Sequence, residues 1–157
     1  MAGLKGVFFD TSVLLAGMID FGRGSQHALL VMDAVADGRI ERPATAWHCC
    51  LELYSVTTRL PEEYRLDPAI ALRLLREEVF ARFSVHGLPE ERQEEFLVSA
   101  AGEGTTGGRI YDAHIAEIAR LAGARLVITE NRRHFAALPR HGIRVLASAE
   151  LASELGR

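Results

Sequence analysis

The sequence predicts an α/β fold of three layers, α/β/α, built on a short and mostly parallel central sheet. Short apolar segments alternate with segments of helical periodicity along almost the whole chain, a pattern typical of parallel strands covered by helices on both faces. No repeat, low-complexity tract or long linker interrupts this alternation. We therefore expect residues 1–157 to form a single domain, large enough to fold without a disulfide or a structural metal.

Apolar periodicity, prolines and glycines mark the individual elements. Residues 7–9 predict a buried strand, and Thr11 or Ser12 is expected to cap a helix that begins near Val13. Helical spacing then continues through QHALLVMDAVADG, which Gly38 closes. The later elements are, in chain order, an extended piece RIERP, a helix ATAWHCCLELYSVTTRL opened by Pro43, a helix DPAIALRLLREEVFARF capped by Asp67, a strand SVHGL, a helix PEERQEEFLVSAA, a flexible stretch GEGTTGG, a helix RIYDAHIAEIARLAG, a strand RLVIT, a turn RRHF, a strand IRVLA and a helix from Ser148.

Charge and cysteine content exclude several classes of protein. The formal net charge of −3 argues against a protein that coats nucleic acid by bulk attraction, but it is compatible with a local basic patch. Cys49 and Cys50 are adjacent, which is a poor arrangement for a mutual disulfide, and no third thiol completes a zinc site. Lys5 and Asp10 interrupt the apolar N-terminal run, so neither an export signal nor a membrane span is expected. A reducing, cytoplasmic location fits these features.

Three carboxylates occupy positions that a solvated surface does not require. Asp10 directly follows a strand, Glu52 lies in mid-helix, and Asp112 lies in the first turn of another helix. Each has an ordinary explanation when taken alone. Asp10 can be a turn or cap residue, and Glu52 can belong to a solvated polar stripe that includes His48. Asp112 gains from the helix dipole.

The three carboxylates become informative when they are considered together. At an effective dielectric constant near 20, two carboxylates ~5 Å apart repel by roughly 3 kcal/mol, so a trio in one crevice requires a cation. Oxygen ligands without cysteine or clustered histidine favour Mg²⁺ or Mn²⁺ over Zn²⁺. Such ions suit the hydrolysis of phosphodiester bonds. Convergence of Asp10, Glu52 and Asp112 on one crevice would therefore indicate a metal-dependent phosphodiesterase.

Four segments resemble, in order and spacing, the PIN domain family, and most closely the VapC-type ribonuclease toxins of bacterial toxin–antitoxin pairs. They are VFFDTSVLLAGM, CLELYSVTTRL, GGRIYDAHIAEIAR, and LVITENRRHF followed by GIRVLA. The resemblance implies a PIN-like fold in which Asp10, Glu52 and Asp112 bind the metal. It also implies that Thr129 is the hydroxyl residue that closes the last core strand. One position departs from the family pattern, because Asn131 stands where many members carry an acidic residue. An amide oxygen can still bind a metal or its water, but it brings no charge, so a second ion should bind more weakly.

The leading hypothesis is a metal-dependent endoribonuclease in which Asp10, Glu52 and Asp112 hold Mg²⁺ or Mn²⁺, with Thr129 and Asn131 in the same site. Arg109, Arg132 and Arg133 are candidates for phosphate contacts, although such a cluster is also typical of a solvated turn. The resemblance further implies a homodimer and a small antitoxin that places an arginine among the carboxylates.

Two alternatives stay open at this stage. A catalytically weak or inactive PIN fold that binds RNA or protein is favoured by Asn131. A phosphatase with Asp10 as covalent nucleophile is disfavoured, because that chemistry needs a second aspartate two residues on, where Ser12 stands.

Overall fold

A computed structural model describes residues 2–156 of the chain and contains one five-stranded sheet. The strands are β1 (Val7–Phe9), β2 (Ala44–Ala46), β3 (Ser84–His86), β4 (Leu126–Ile128) and β5 (Arg144–Leu146). They lie in the order β3-β2-β1-β4-β5, and every neighbouring pair is parallel. The predicted short parallel sheet is therefore confirmed.

Seven helices surround the sheet in the described part of the chain. They are α1 (Thr11–Met18), α2 (Gln26–Ala36), α3 (Trp47–Thr57), α4 (Pro68–Leu75), α5 (Glu90–Gly102), α6 (Arg109–Leu121) and α7 (Ser148–Leu155). A π-helical turn, Arg76–Phe80, continues α4, and short 3₁₀ turns occupy 22–25, 132–135 and 138–141. Helix α2 packs on α1 and α7, whereas α5 packs on α6. The arrangement is the predicted three-layer α/β/α fold. No helix within residues 2–156 has the length and apolar character needed to cross a bilayer.

The core is centred on the two middle strands. All residues of β1 and β4 are buried, as are Val13 and Leu14 of α1 and Leu53 of α3. Strands that are covered on both faces are apolar at every position, which explains why the runs VFF and LVI show no alternation. The edge strands β3 and β5 are only partly buried.

The predicted start of one helix is wrong. Residues 44–46 do not begin a helix after Pro43 but form β2, which pairs with β1 and β3, and the helix starts at Trp47. Pairing on both sides of a strand outweighs the helix propensity of alanine. The piece RIERP, predicted only as extended, contains Ile40, which makes an isolated parallel bridge with Leu4 outside the sheet.

The expected cap of the first helix is also wrong. Helix α1 begins at Thr11 itself, Asp10 occupies the N-cap position, and no side chain there bonds to the helix backbone. The hydroxyls of Thr11 and Ser12 instead donate to carboxylates, Thr11 to Glu52 and Ser12 to Asp10. These two hydroxyls are part of the candidate site rather than of the helix terminus.

Candidate active site

The candidate site lies at the carboxyl ends of the two central strands. Beyond β1 the strand order runs to β2 and β3 on one side and to β4 and β5 on the other, so the direction in which successive strands are added to the sheet reverses between β1 and β4. In parallel sheets this switch point opens a crevice that binds ligands. Phe9 pairs with Ile128, and the Asp10 backbone N–H donates to the Ile128 carbonyl at 3.0 Å. Asp10 and Thr129 therefore enter the crevice side by side.

Asp10 is a buried carboxylate held by two hydroxyl groups. Its Oδ2 accepts hydrogen bonds from Thr129 Oγ1 at 2.7 Å and from Ser12 Oγ at 2.9 Å, and only 5% of the residue is exposed. Burial raises the pKa of Asp10, because it disfavours the charged form, and the bonds from Thr129 and Ser12 oppose that rise. The carboxylate is thus fixed in position at a cost in solvation.

The same hydroxyls also bind the backbone that follows β4. Ser12 Oγ accepts from the Glu130 N–H and Thr129 Oγ1 accepts from the Asn131 N–H, each at 3.0 Å. Glu130 turns away from the crevice, since its Oε1 accepts from the Ser148 N–H at 2.8 Å, at the start of α7. Ser12 is a member of the site that the sequence interpretation missed as such. Its place two residues after Asp10, in the first turn of α1, was the available signal.

Glu52 faces the same crevice from the second turn of α3. Its Oε1 accepts a hydrogen bond from Thr11 Oγ1 at 3.1 Å, and His48 Nε2 lies 3.4 Å from the same oxygen. Burial raises the pKa of Glu52; His48 and the Thr11 hydroxyl lower it, and the charges of Asp10 and Asp112 raise it further. Glu52 therefore lies within electrostatic reach of both other carboxylates.

Asp112 lies in the first turn of α6 and is partly exposed. Its Oδ2 lies 3.1 Å from Nδ1 of His134, which belongs to the 3₁₀ turn after β4. One turn into α6, His114 places its Nδ1 3.1 Å from Nδ1 of His48. Burial and the neighbouring His48 lower the pKa of His114. The sequence interpretation treated these histidines as isolated, because their spacing is not that of zinc ligands.

The donor set suits a hard divalent cation. Asp10, Glu52 and Asp112 offer only carboxylate oxygens, and a buried or crowded carboxylate gains from a positive partner. Within residues 2–156, however, no three Asp, Glu, His or Cys side chains are close enough to enclose a metal ion. Mg²⁺ typically keeps several waters and uses one or two protein carboxylates, so an open arrangement still fits it. The assignment of all three carboxylates to one ion stays a prediction.

The other predicted site residues have different surroundings. Thr129 is fully buried against Asp10, whereas Asn131 is exposed and reaches the site through its backbone N–H. Arg132 pairs with Glu150 of α7 at 2.6 Å. Arg109 and Arg133 line a groove of about 660 Å³ that Asp112 also borders.

The chain belongs to the PIN domain family, whose family model matches residues 7–140. It is similar to Ribonuclease VapC40 of Mycobacterium tuberculosis, with 29% identity over 129 residues that cover 78% of this chain and 85% of the relative. It is also similar to Ribonuclease VapC27 of the same organism, with 39% identity over 90 residues, or 57% of this chain and 63% of the relative.

Solved structures share the fold at low sequence identity. A structure of VapBC-1 from nontypeable Haemophilus influenzae matches 91% of this chain and 98% of its own, with a TM-score of 0.61 and 14% identity. PAE2754 from Pyrobaculum aerophilum matches 99% of this chain and 98% of its own, with a TM-score of 0.59 and 22% identity. These likenesses support the three-layer fold.

Proposed function

We propose that the protein is a metal-dependent endoribonuclease and the toxin of a type II toxin–antitoxin pair. The observation that carries the proposal is the buried, hydroxyl-bound Asp10 at the switch point, with Glu52 beside it and within electrostatic reach of both Asp10 and Asp112. The similar proteins VapC40 and VapC27 are named ribonucleases, and VapBC-1 supports the same fold.

In the proposed mechanism the carboxylates of Asp10, Glu52 and Asp112 hold Mg²⁺ or Mn²⁺. When bound, the ion supplies Lewis acidity and a more acidic water for attack on the phosphodiester. Ser12 and Thr129 fix Asp10 through their hydrogen bonds to Oδ2, which keep the carboxylate in one orientation. Thr11 fixes Glu52 in the same way. No protein side chain needs to become covalently attached to the substrate.

The RNA strand is proposed to follow the groove between α6 and the 3₁₀ turns after β4. Arg109, Arg133 and Arg140 line this groove, and none of the three has an ion pair among residues 2–156. Unpaired guanidinium groups are suited to bidentate contacts with phosphate oxygens. Arg132 contributes less in this proposal, because it is already paired with Glu150.

The protein partners are proposed from the crevice and from the surface beside it. The three carboxylates would attract an arginine from an antitoxin peptide, which would block the site. Next to them Trp47, Leu51, Leu97 and Tyr111 line an apolar groove of about 490 Å³, and each is more than half exposed. We propose this surface as the homodimer interface, with the protein in the cytoplasm. Sedimentation of Leu97→Glu tests the interface: the wild type is expected to sediment as a dimer and the variant as a monomer.

Incubation with total RNA tests the nuclease. The purified wild type, with and without Mn²⁺, is compared with Asp10→Asn and Asp112→Asn. Asp33→Asn is the matched control, because it makes the same carboxylate-to-amide exchange at an exposed position of α2. Cleavage is expected only with metal, in the wild type and the control. Equal cleavage by all four proteins would identify a contaminating ribonuclease and overturn the proposal.

A second candidate is a PIN fold that binds RNA without cutting it. The observation that favours it is Asn131, which brings no charge to the loop after β4. Asn131→Asp discriminates the two functions. A variant that cleaves RNA when the wild type does not, at any Mn²⁺ concentration, would support the binding module. A variant that only lowers the Mn²⁺ concentration required would support the nuclease.

A further inference from the structure

We infer that His114 is a positioning residue that orients Glu52 through His48, a role that rests on the proposed function of the crevice. Within residues 2–156, His114 contacts the His48 and Phe96 rings, and no hydrogen bond or ion pair joins it to Glu52 or to the other two carboxylates. It acts on the site only through the imidazole of His48, which lies between them.

The contacts form a continuous chain from α6 to α3. His114 Nδ1 lies 3.1 Å from His48 Nδ1, and on the other side of that ring His48 Nε2 lies 3.4 Å from Glu52 Oε1. His48 and Glu52 are four residues apart on α3 and therefore share one face of the helix. The relay thus links the helix of Glu52 to the helix of Asp112, two residues before His114.

When both rings are neutral, the number of N–H groups determines which histidine donates in the hydrogen bond between them. A hydrogen bond between the two Nδ1 atoms uses one proton, and a neutral imidazole carries only one N–H. The ring that supplies this proton therefore has no proton on its Nε2. If His48 supplied it, the bare Nε2 of His48 would face the Glu52 carboxylate as a second acceptor. If His114 supplies it, His48 keeps its proton on Nε2 and presents it to Glu52 Oε1. Only the second arrangement turns an N–H, rather than a lone pair, toward the Glu52 carboxylate across the 3.4 Å that separates Nε2 from Oε1.

Packing holds both rings in place. The His48 ring lies 5.5 Å from Tyr111 between centroids, and the His114 ring lies 5.8 Å from Phe96 and 5.1 Å from His48, nearly perpendicular to it. The His48 side chain is only 19% exposed. The rings therefore have little freedom to exchange partners.

The two carboxylate oxygens of Glu52 have different surroundings. Thr11 and His48 both approach Oε1, and within residues 2–156 no protein donor contacts Oε2. One oxygen is thereby tied to the protein, and the other is available to a cation or its water. Loss of the relay is expected to free the side chain, so that it must be ordered again when the ion binds.

The first test determines the tautomers of His48 and His114 in the absence of metal and substrate. Nitrogen-15 NMR at pH 8, where ordinary imidazoles are neutral, reports which ring nitrogen carries the proton. We expect an Nε2–H tautomer for His48 and an Nδ1–H tautomer for His114. In His114→Phe the tautomer preference of His48 is expected to weaken. A proton found on His48 Nδ1 in the wild type would overturn the inference.

The second test reads the effect on the site. Mn²⁺ affinity is measured from the electron paramagnetic resonance signal of free Mn²⁺ in His114→Phe, His114→Asn and the control His27→Asn, an exposed residue of α2. We expect an affinity ~3–10-fold weaker for the phenylalanine variant. Asparagine places an amide N–H near the position of Nδ1 and is expected to restore most of the affinity. Unchanged affinity in the phenylalanine variant would overturn the inference, and circular dichroism checks that each variant folds.

Cleavage kinetics separate this inference from the proposed function. If the protein cuts RNA, His114→Phe is expected to lower kcat and raise the required Mn²⁺ concentration, with KM for RNA unchanged. If the wild type binds Mn²⁺ but cuts no RNA, the nuclease proposal fails while the tautomer and affinity tests still decide the relay. If the wild type cuts RNA but both tests are negative, the relay alone fails.

Discussion

The two sides of the crevice hold their carboxylates by different means. On the strand side Asp10 is buried at the end of β1, and two hydroxyls donate to one of its oxygens. On the helix side Glu52 and Asp112 are 41% and 33% exposed, and each lies beside an imidazole, His48 or His134. The buried Asp10 carboxylate has few alternative positions, whereas the half-exposed carboxylates of Glu52 and Asp112 depend on neighbouring side chains for their orientation.

One crevice thus combines a buried carboxylate with two that are partly exposed. The strand side carries the solvation cost, because burial raises the pKa of Asp10. The helix side carries less of that cost, but its carboxylates keep more side-chain freedom to lose on binding. We expect substitutions on the strand side to change both stability and activity, and substitutions on the helix side to change mainly activity.

The largest effect is expected from Asp10→Asn. Cleavage should fall by at least ~100-fold, because the buried ligand of the ion is lost. Stability should rise at pH 7 by a few degrees in Tm, since ~1 kcal/mol corresponds to roughly 2–4 °C in a chain of this length. The measurement is thermal unfolding in metal-free buffer, with Asp33→Asn as control.

The pH dependence of that stability difference has a definite sign. The pKa of Asp10 is raised in the folded protein, so its contribution is fully present below the ordinary carboxyl pKa and is lost as pH rises through the raised value. The gap in Tm between variant and wild type should therefore widen as pH rises from the ordinary carboxyl value, about 3.9, toward neutrality. A gap that is constant over this range would contradict the assigned burial cost.

Thr129→Val is expected to have the next largest effect. It removes the 2.7 Å bond to Asp10 and leaves the Asn131 N–H without its acceptor, so the free energy of unfolding should fall by about 1–3 kcal/mol. Cleavage should fall by about tenfold. Thr45→Val is the matched control, since Thr45 is equally buried but donates to the Phe9 carbonyl. Equal loss of cleavage in both variants at equal stability would show that the hydroxyl at 129 has no special role.

His134→Ala probes the helix side and should have a smaller effect. The contact with Asp112 joins two partly exposed side chains, and such pairs contribute only about 0–1 kcal/mol. We expect cleavage to change by less than about fivefold and Tm by less than a few degrees. A loss as large as that of Thr129→Val would mean that His134 contacts the substrate.

The smallest signal is expected from the two thiols, which should react very slowly in the native protein. Burial raises the pKa of Cys49 to about 12, with a further rise from the charge of Asp10, and burial raises that of Cys50 to about 11. Ellman's reagent at pH 8 should label neither thiol of the native protein within minutes, and both after unfolding in urea. Rapid labelling of the native protein would show that the buried face of α3 opens more easily than its burial indicates.

The parts that the sequence could predict are those carried by local pattern. Asp10 and Thr129 directly follow apolar runs, so their place at strand ends followed from the runs themselves. Strand β2 was missed because the three residues ATA are too short a run to establish a period, and their extended conformation comes from pairing with both neighbours. His48 and Glu52 share a helix face that is visible in the sequence. The approach of His114 to His48 depends on how α6 packs beside α3, which no local pattern encodes.

The contacts between the loop after β4 and the last helix have a practical consequence for protein engineering. The Ser148 N–H donates to Glu130, and Glu150 pairs with Arg132, so α7 clamps the residues that follow Thr129. Trimming the chain before residue 148, or fusing a rigid tag that displaces this helix, would release the contact with Glu130, 18 residues away in the chain, and loosen the grip on Asp10. An affinity tag after α7 is therefore better joined through a long, unstructured linker.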